Sequence, residues 1–192
     1  MRKIKKNFEN PIDNILIDIA EYLCHYFNKF NTTPNDLTTI SLITGILSVF
    51  YLFNDLYIVS IIYLFISYFF DIMDGNYARK YKMETDFGDM YDHIKDIIIN
   101  IFIIGLIIYK TYKIDLKLMK KYILIIIIIN FLMNFHLGCQ EQLYDNKQNN
   151  NFLHFNRVLC WDKKYINFSK FFGCGTYYLI IIILIYNLKN YL

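Results

Sequence analysis

Four aspartates stand at spacings that suit metal chemistry. Asp71 and Asp74 are three apart and Asp92 and Asp96 four apart, all within DIMDGNYARKYKMETDFGDMYDHIKD at residues 71–96. On a helix, such spacings put side chains on one face, so two helices meeting here would bring four carboxylates to one pocket. Carboxylate oxygens suit hard cations such as Mg2+ or Mn2+, and Mg2+ usually completes its shell with water and substrate phosphates. Four acidic ligands could hold two ions across a diphosphate, stabilising the attacking and leaving oxygens of an in-line displacement. Gly75 and Ala78 are small enough to let a phosphate or ribose approach the backbone, and Arg79 is placed to grip a phosphate. Glu84, Asp86 and Asp89 read as solvated loop charges.

The elements that must position these groups are apolar. Of the 192 residues, 56% are hydrophobic and 19% charged, a balance shifted towards membrane proteins. Apolar stretches at Leu37–Phe53, Leu56–Phe70, Ile97–Tyr109 (a helix reaching back to Met90), Tyr122–Leu137 and Phe171–Leu188 predict five transmembrane helices. A sixth span within 139–170 is left open, because the polar DNKQNNN run gives way there to an aromatic segment carrying single charges. Before the spans, residues 10–27 read as an amphipathic helix capped by Asn10 and opened by Pro11. With the basic MRKIKK tail in front of it, this helix is expected to lie on the membrane surface. The chain thus reads as a single all-α integral membrane domain over 1–192, with 1–33 as tail and interfacial helix and 34–192 as the bundle.

Basic residues set the orientation. There are five before the first span, three at 79–82 and five between 139 and 170, against five in 110–121 plus Lys189. The N-terminus and the acidic stretch are therefore expected on the cytoplasmic side. No basic run is interleaved with aromatics, so a nucleic-acid partner is not expected. Cys24, Cys139, Cys160 and Cys174 are scattered with no CxxC pair, and reduced, buried thiols are the expectation.

The acidic stretch, written D-x2-D-G-x2-A-R-x8-G-x3-D-x3-D, resembles the signature of the CDP-alcohol phosphotransferase family (CDP-alcohol phosphatidyltransferase class I). Pro34-Asn35-Asp36-Leu37-Thr38 is similar to the Pro-Asn-x-x-Thr pattern with which that family commonly begins its first span. The resemblance implies transfer of a substituted phosphate from a CDP-linked donor to an alcohol, with release of CMP, in phospholipid synthesis. It implies that Asp71, Asp74, Asp92 and Asp96 bind two Mg2+ or Mn2+ ions and that Asp96 is the general base. Gly75, Ala78, Arg79, Thr85 and Asn35 would face the CDP part. His93, in DHIKD, is similar to the choline/ethanolamine branch, whose acceptor is diacylglycerol; it could assist proton transfer or stand as a hydrated helix-end residue. The choice between that branch and the CDP-diacylglycerol branch stays open, and the resemblance suggests a homodimer within membrane lipids. Two rival readings are a divalent-cation transporter or binding protein using the same carboxylates, and an inactive family member.

Overall fold

The computed structural model describes residues 2–143 and 152–191, and the DNKQNNN run falls outside them. All regular structure among the described residues is helical: α1 (Pro11–Lys29), α2 (Pro34–Phe53), α3 (Tyr57–Tyr81), α4 (Asp86–Ile114), α5 (Leu116–Leu143), α6 (Ile166–Ser169) and α7 (Cys174–Leu188), with short 3-10 turns at Lys6–Phe8, Phe152–Leu159, Lys163–Tyr165 and Lys170–Phe172. Five stretches are long and apolar enough to cross a membrane: α2, α3, α4, α5 and Lys163–Leu188. They correspond to the five expected spans. Between α5 and that last stretch the described residues form only short turns, so among the described residues no sixth long apolar helix stands there.

Local sequence explains where the helices begin and end. The Asn10 side chain accepts a hydrogen bond from the Ile12 backbone N–H at 2.9 Å, with Pro11 in the first turn. Thr33 and Asp36 form a reciprocal capping box ahead of α2, again with proline in the first turn. The α2–α3 link closes through Asp55 in the left-handed region, at φ 62°. The carboxylate of Asp55 accepts from Lys110 and, at 2.8 Å, from the Tyr57 hydroxyl. The Lys110 hydrogen bond is the main reason that its pKa is lowered. α3 runs uninterrupted from its apolar part through Asp71 and Asp74 and stops at Lys82, left-handed at φ 57°. Thr85 caps α4, its Oγ1 accepting from the Gly88 N–H at 3.0 Å.

Small polar residues hold α2 against α3. Ser41 donates to the Ser67 carbonyl at 2.8 Å, Ser67 donates back to the Ser41 carbonyl at 2.8 Å, and Ser48 donates to the Ser60 carbonyl at 2.9 Å. Such hydroxyls, satisfied on the neighbouring backbone, let two apolar helices approach closely. One apolar core joins Leu52 and Leu64 to Ile99, Ile103, Ile107, Ile126 and Ile185. The outer faces carry exposed apolar rows, among them Ile43, Ile46 and Phe50 on α2, and Ile127, Ile128 and Phe131 on α5. Faces of this kind are suited to lipid.

α1 is apolar on more than one side. Leu16, Ile17, Ala20 and Cys24 are buried within the protein, whereas Ile15, Ile19, Tyr22 and Tyr26 point outward at helical spacing.

The cysteines require a correction. Cys139 and Cys160 are joined in a disulfide, while Cys24 and Cys174 are free. The two partners are 21 residues apart with no pair motif. They meet because the Phe152–Leu159 turn folds back on the last turn of α5. Gly138 permits that approach, since a Cβ there would collide with the Asn156 carbonyl oxygen.

Candidate active site

The acidic stretch forms the ends of α3 and α4 where they lie side by side. Asp71, Asp92 and Asp96 each offer an oxygen, all within 4.8 Å of one another. Asp74 sits a turn further along α3, 4% exposed, and its Oδ2 accepts from the Thr38 hydroxyl of α2 at 2.6 Å. Three of the four expected carboxylates therefore converge directly. The fourth turns towards α2 because three residues along a helix leave a rotation of roughly 60°.

Two cavities meet at this cluster. One, of about 190 Å³, is lined by Asn35, Asp74, Gly75, Ala78, Arg79 and Thr85, together with Lys3, Asp92 and His93. Every residue expected to face a CDP group lines it. The Arg79 guanidinium lies back over Gly75, where a Cβ would come within 3.2 Å of Arg79 Nη1 and push it aside. The other cavity, of about 590 Å³, opens on Asp71, Asp92, His93 and Asp96. Asn100, Asn130, Asn134, Tyr177 and Tyr178 line its polar part, and Ile97, Met133 and Leu137 its apolar wall. No lysine or arginine is among its described lining residues. Asp92 and His93 belong to both cavities. His93 Nδ1 lies 3.5 Å from Asp92 Oδ2 and its Nε2 3.8 Å from Asp89 Oδ1, so Asp89 is less detached from the site than a loop charge.

The donor chemistry fits a hard divalent cation. Three carboxylate oxygens are pre-gathered, and the cation that already meets the buried Asp92 Oδ1 is the Lys95 ammonium, 3.1 Å away.

One group at the centre escaped the sequence reading. The Lys95 ammonium pairs with Asp71, lies 3.1 Å from Asp92 Oδ1 and 3.0 Å from Asp96 Oδ1, and donates to Ser41 Oγ at 3.0 Å. A signal for it existed. Lys95, Ile99, Ile103 and Ile107 recur every four residues and are all buried, so Lys95 lies on the inward stripe of α4 rather than on its solvated end. Thr38 is read from the sequence only as part of the Pro-Asn-x-x-Thr pattern, without a role at the carboxylates.

A helical bundle with apolar outer faces and an acidic cluster between two of its spans defines a multi-pass membrane protein whose carboxylates could hold a cation. The chain belongs to the CDP-alcohol phosphatidyltransferase family, whose model matches residues 31–188. It is similar to an uncharacterized protein of Aquifex aeolicus (strain VF5), 30% identical over 79 residues. That stretch is 41% of this chain and 40% of the relative, so the chain matches well under half the length of that curated relative. No solved structure matches.

Proposed function

We propose that this protein transfers a substituted phosphate from a CDP-linked donor to an alcohol and releases CMP. The observation that carries the reading is the meeting of two cavities at Asp92 and His93. The smaller is lined by the residues suited to a nucleoside diphosphate, and the larger reaches Asp96. A divalent ion bound among the aspartates supplies charge neutralisation for the diphosphate. Arg79 grips a donor phosphate and Gly75 lets it lie close to the helix. The acceptor hydroxyl enters from the larger cavity and gives its proton to the Asp96 carboxylate. The acceptor oxygen then forms a bond to the donor's distal phosphorus, and the bond from that phosphorus to CMP breaks.

The acceptor is an uncharged alcohol with an apolar body. The absence of lysine and arginine from the described lining of the larger cavity argues against a phosphorylated acceptor, and Ile97, Met133 and Leu137 provide an apolar wall. The apolar wall favours diacylglycerol over glycerol phosphate in this reading. We place the N-terminus and the site in the cytoplasm on the basic bias of the flanking segments. The Cys139–Cys160 pair, which lies at the same end of α5, argues the other way, since disulfides persist in oxidising compartments. The basic bias carries more weight because it is spread over three separate segments.

CMP release from membranes holding the protein, in Mg2+ or Mn2+, tests the reading. One set of reactions supplies CDP-choline or CDP-ethanolamine with diacylglycerol, the other CDP-diacylglycerol with glycerol phosphate, inositol or serine. Asp96-dependent CMP from the first set is expected. CMP only with glycerol phosphate would refute the uncharged acceptor, and no CMP from either set in folded protein would refute the transferase.

A further inference from the structure

We infer that Lys95 is a built-in cation of the site: its ammonium stands in for one of two divalent ions, and the chain binds one metal ion rather than two. This rests on the reading of the acidic cluster as a transferase metal site. Four observations support it.

The three carboxylates that converge within 4.8 Å are the same three that the Lys95 ammonium contacts. A magnesium ion bonds oxygen at roughly 2.0–2.1 Å, while an ammonium sits roughly 2.7–2.9 Å from a carboxylate. Both need the centre of the same triangle, so they exclude each other there.

The ammonium also has nowhere else to go. Its side chain is 2% exposed, and Ser41 of α2 accepts its hydrogen bond from behind. The next positions on its stripe are Ile99 and Ile103, both buried. Withdrawing the ammonium from its carboxylates would leave a charge unpaired in an apolar core, which is strongly unfavourable.

The number of ligands left over suits a single ion. Asp74 and Asp92 face the smaller cavity, where the donor's diphosphate is placed. Asp71 and Asp96 open instead on the larger cavity, beside the ammonium. One divalent ion with two carboxylates, water and donor phosphate oxygens is a complete Mg2+ site.

Finally, the charge is fixed where the acceptor's proton must go. Lys95 lies 3.0 Å from Asp96 Oδ1, so a positive charge is present beside the base before any ion binds. Lys95 is thus a positioning residue for Asp96 as well as a counter-charge.

The test counts ions. Purified protein in detergent, saturated with CDP, is titrated with Mn2+, and free Mn2+ is read by electron paramagnetic resonance. Wild type is expected to bind one Mn2+ per chain, Lys95→Arg one, and Lys95→Met two. CMP release is measured on the same preparations. A wild-type count of two or of zero overturns the inference, and this decides the matter even if Lys95→Met fails to fold. A folded Lys95→Met that binds only one ion overturns it as well. Two ions with CMP release would remove the inference and leave the transferase standing. One ion in wild type, two in Lys95→Met and no CMP from either donor set would do the reverse.

Discussion

At the scale of single residues, the proposed division of labour separates binding from proton transfer. Asp96 opens on the acceptor cavity and Asp74 on the donor cavity. Asp96→Asn should therefore lower CMP release by about 10²–10⁴-fold, the usual contribution of a general base, while leaving CDP binding within a few-fold of wild type. CDP affinity that fell in step with turnover would make Asp96 a donor-binding group instead. Gly75 probes the other cavity. In Gly75→Ala the new Cβ must share space with Arg79 Nη1 at 3.2 Å, and a flexible side chain can yield by a few tenths of an ångström. The shift should raise KM for the CDP donor by about tenfold with kcat little changed, as expected when uniform binding is lost. Steady-state kinetics with varied donor checks this, and an unchanged KM would mean that Arg79 does not hold the phosphate.

At the scale of elements, the site depends on how closely α2, α3 and α4 approach. Gly45 sits where they meet: a Cβ there would stand 3.0 Å from Ile99 Cδ1 and 3.1 Å from Ser67 Oγ. Gly45→Leu should wedge the helices apart at a cost of about 1–3 kcal/mol, typical of overpacking. It should also displace Ser41, which holds both Ser67 and Lys95. Thermal unfolding in detergent measures the first effect and CMP release the second; wild-type values in both would show that the contact is slack. Much of this architecture was legible in the sequence. Apolar runs gave five spans, Asn10 and Pro11 announced α1, and the spacing of Asp71, Asp92 and Asp96 foretold their convergence, because these features depend on local period and composition. Lys95 was not legible in the same way. A lysine between two aspartates has the composition of a solvated helix end, and only the continuation of its stripe into Ile99 and Ile103 turns it inward. The Cys139–Cys160 pair was hidden for a related reason, since long-range approach depends on a backbone contact at Gly138 that no spacing encodes.

At the scale of the whole molecule, a buried polar junction ties the first helix to the last. Asp13 of α1 is 6% exposed, its carboxylate accepting from the Tyr68 hydroxyl of α3 and from the Gly175 backbone N–H of α7. Asn10 adds bonds to the Lys170 carbonyl at 2.7 Å and to Thr176 Oγ1 at 2.9 Å. A Cβ on Gly175 would strike Asp13 Oδ1, so Gly175→Ala should loosen both ends of the chain together. Burial dominates the electrostatics of Asp13, pushing its pKa from 3.8 to about 7 against the hydrogen bond from Tyr68, and the nearby Glu9 carboxylate pushes in the same direction. The sign follows from proton counts. Between pH 3.8 and about 7 the folded protein holds a proton on Asp13 that the unfolded chain has released, so stability falls as pH rises through that window. The contribution of this group is fully present below pH 3.8, lost by about pH 7, and flat above. Asp13→Asn keeps the shape of the side chain but cannot ionise. Unfolding midpoints for wild type and Asp13→Asn, measured from pH 4 to 8, should therefore diverge with rising pH, the variant gaining on wild type by up to a few kcal/mol near neutrality. Parallel curves would mean that Asp13 stays ionised in the folded protein. The α1–α3–α7 junction would then be held by a charge rather than by a neutral acid.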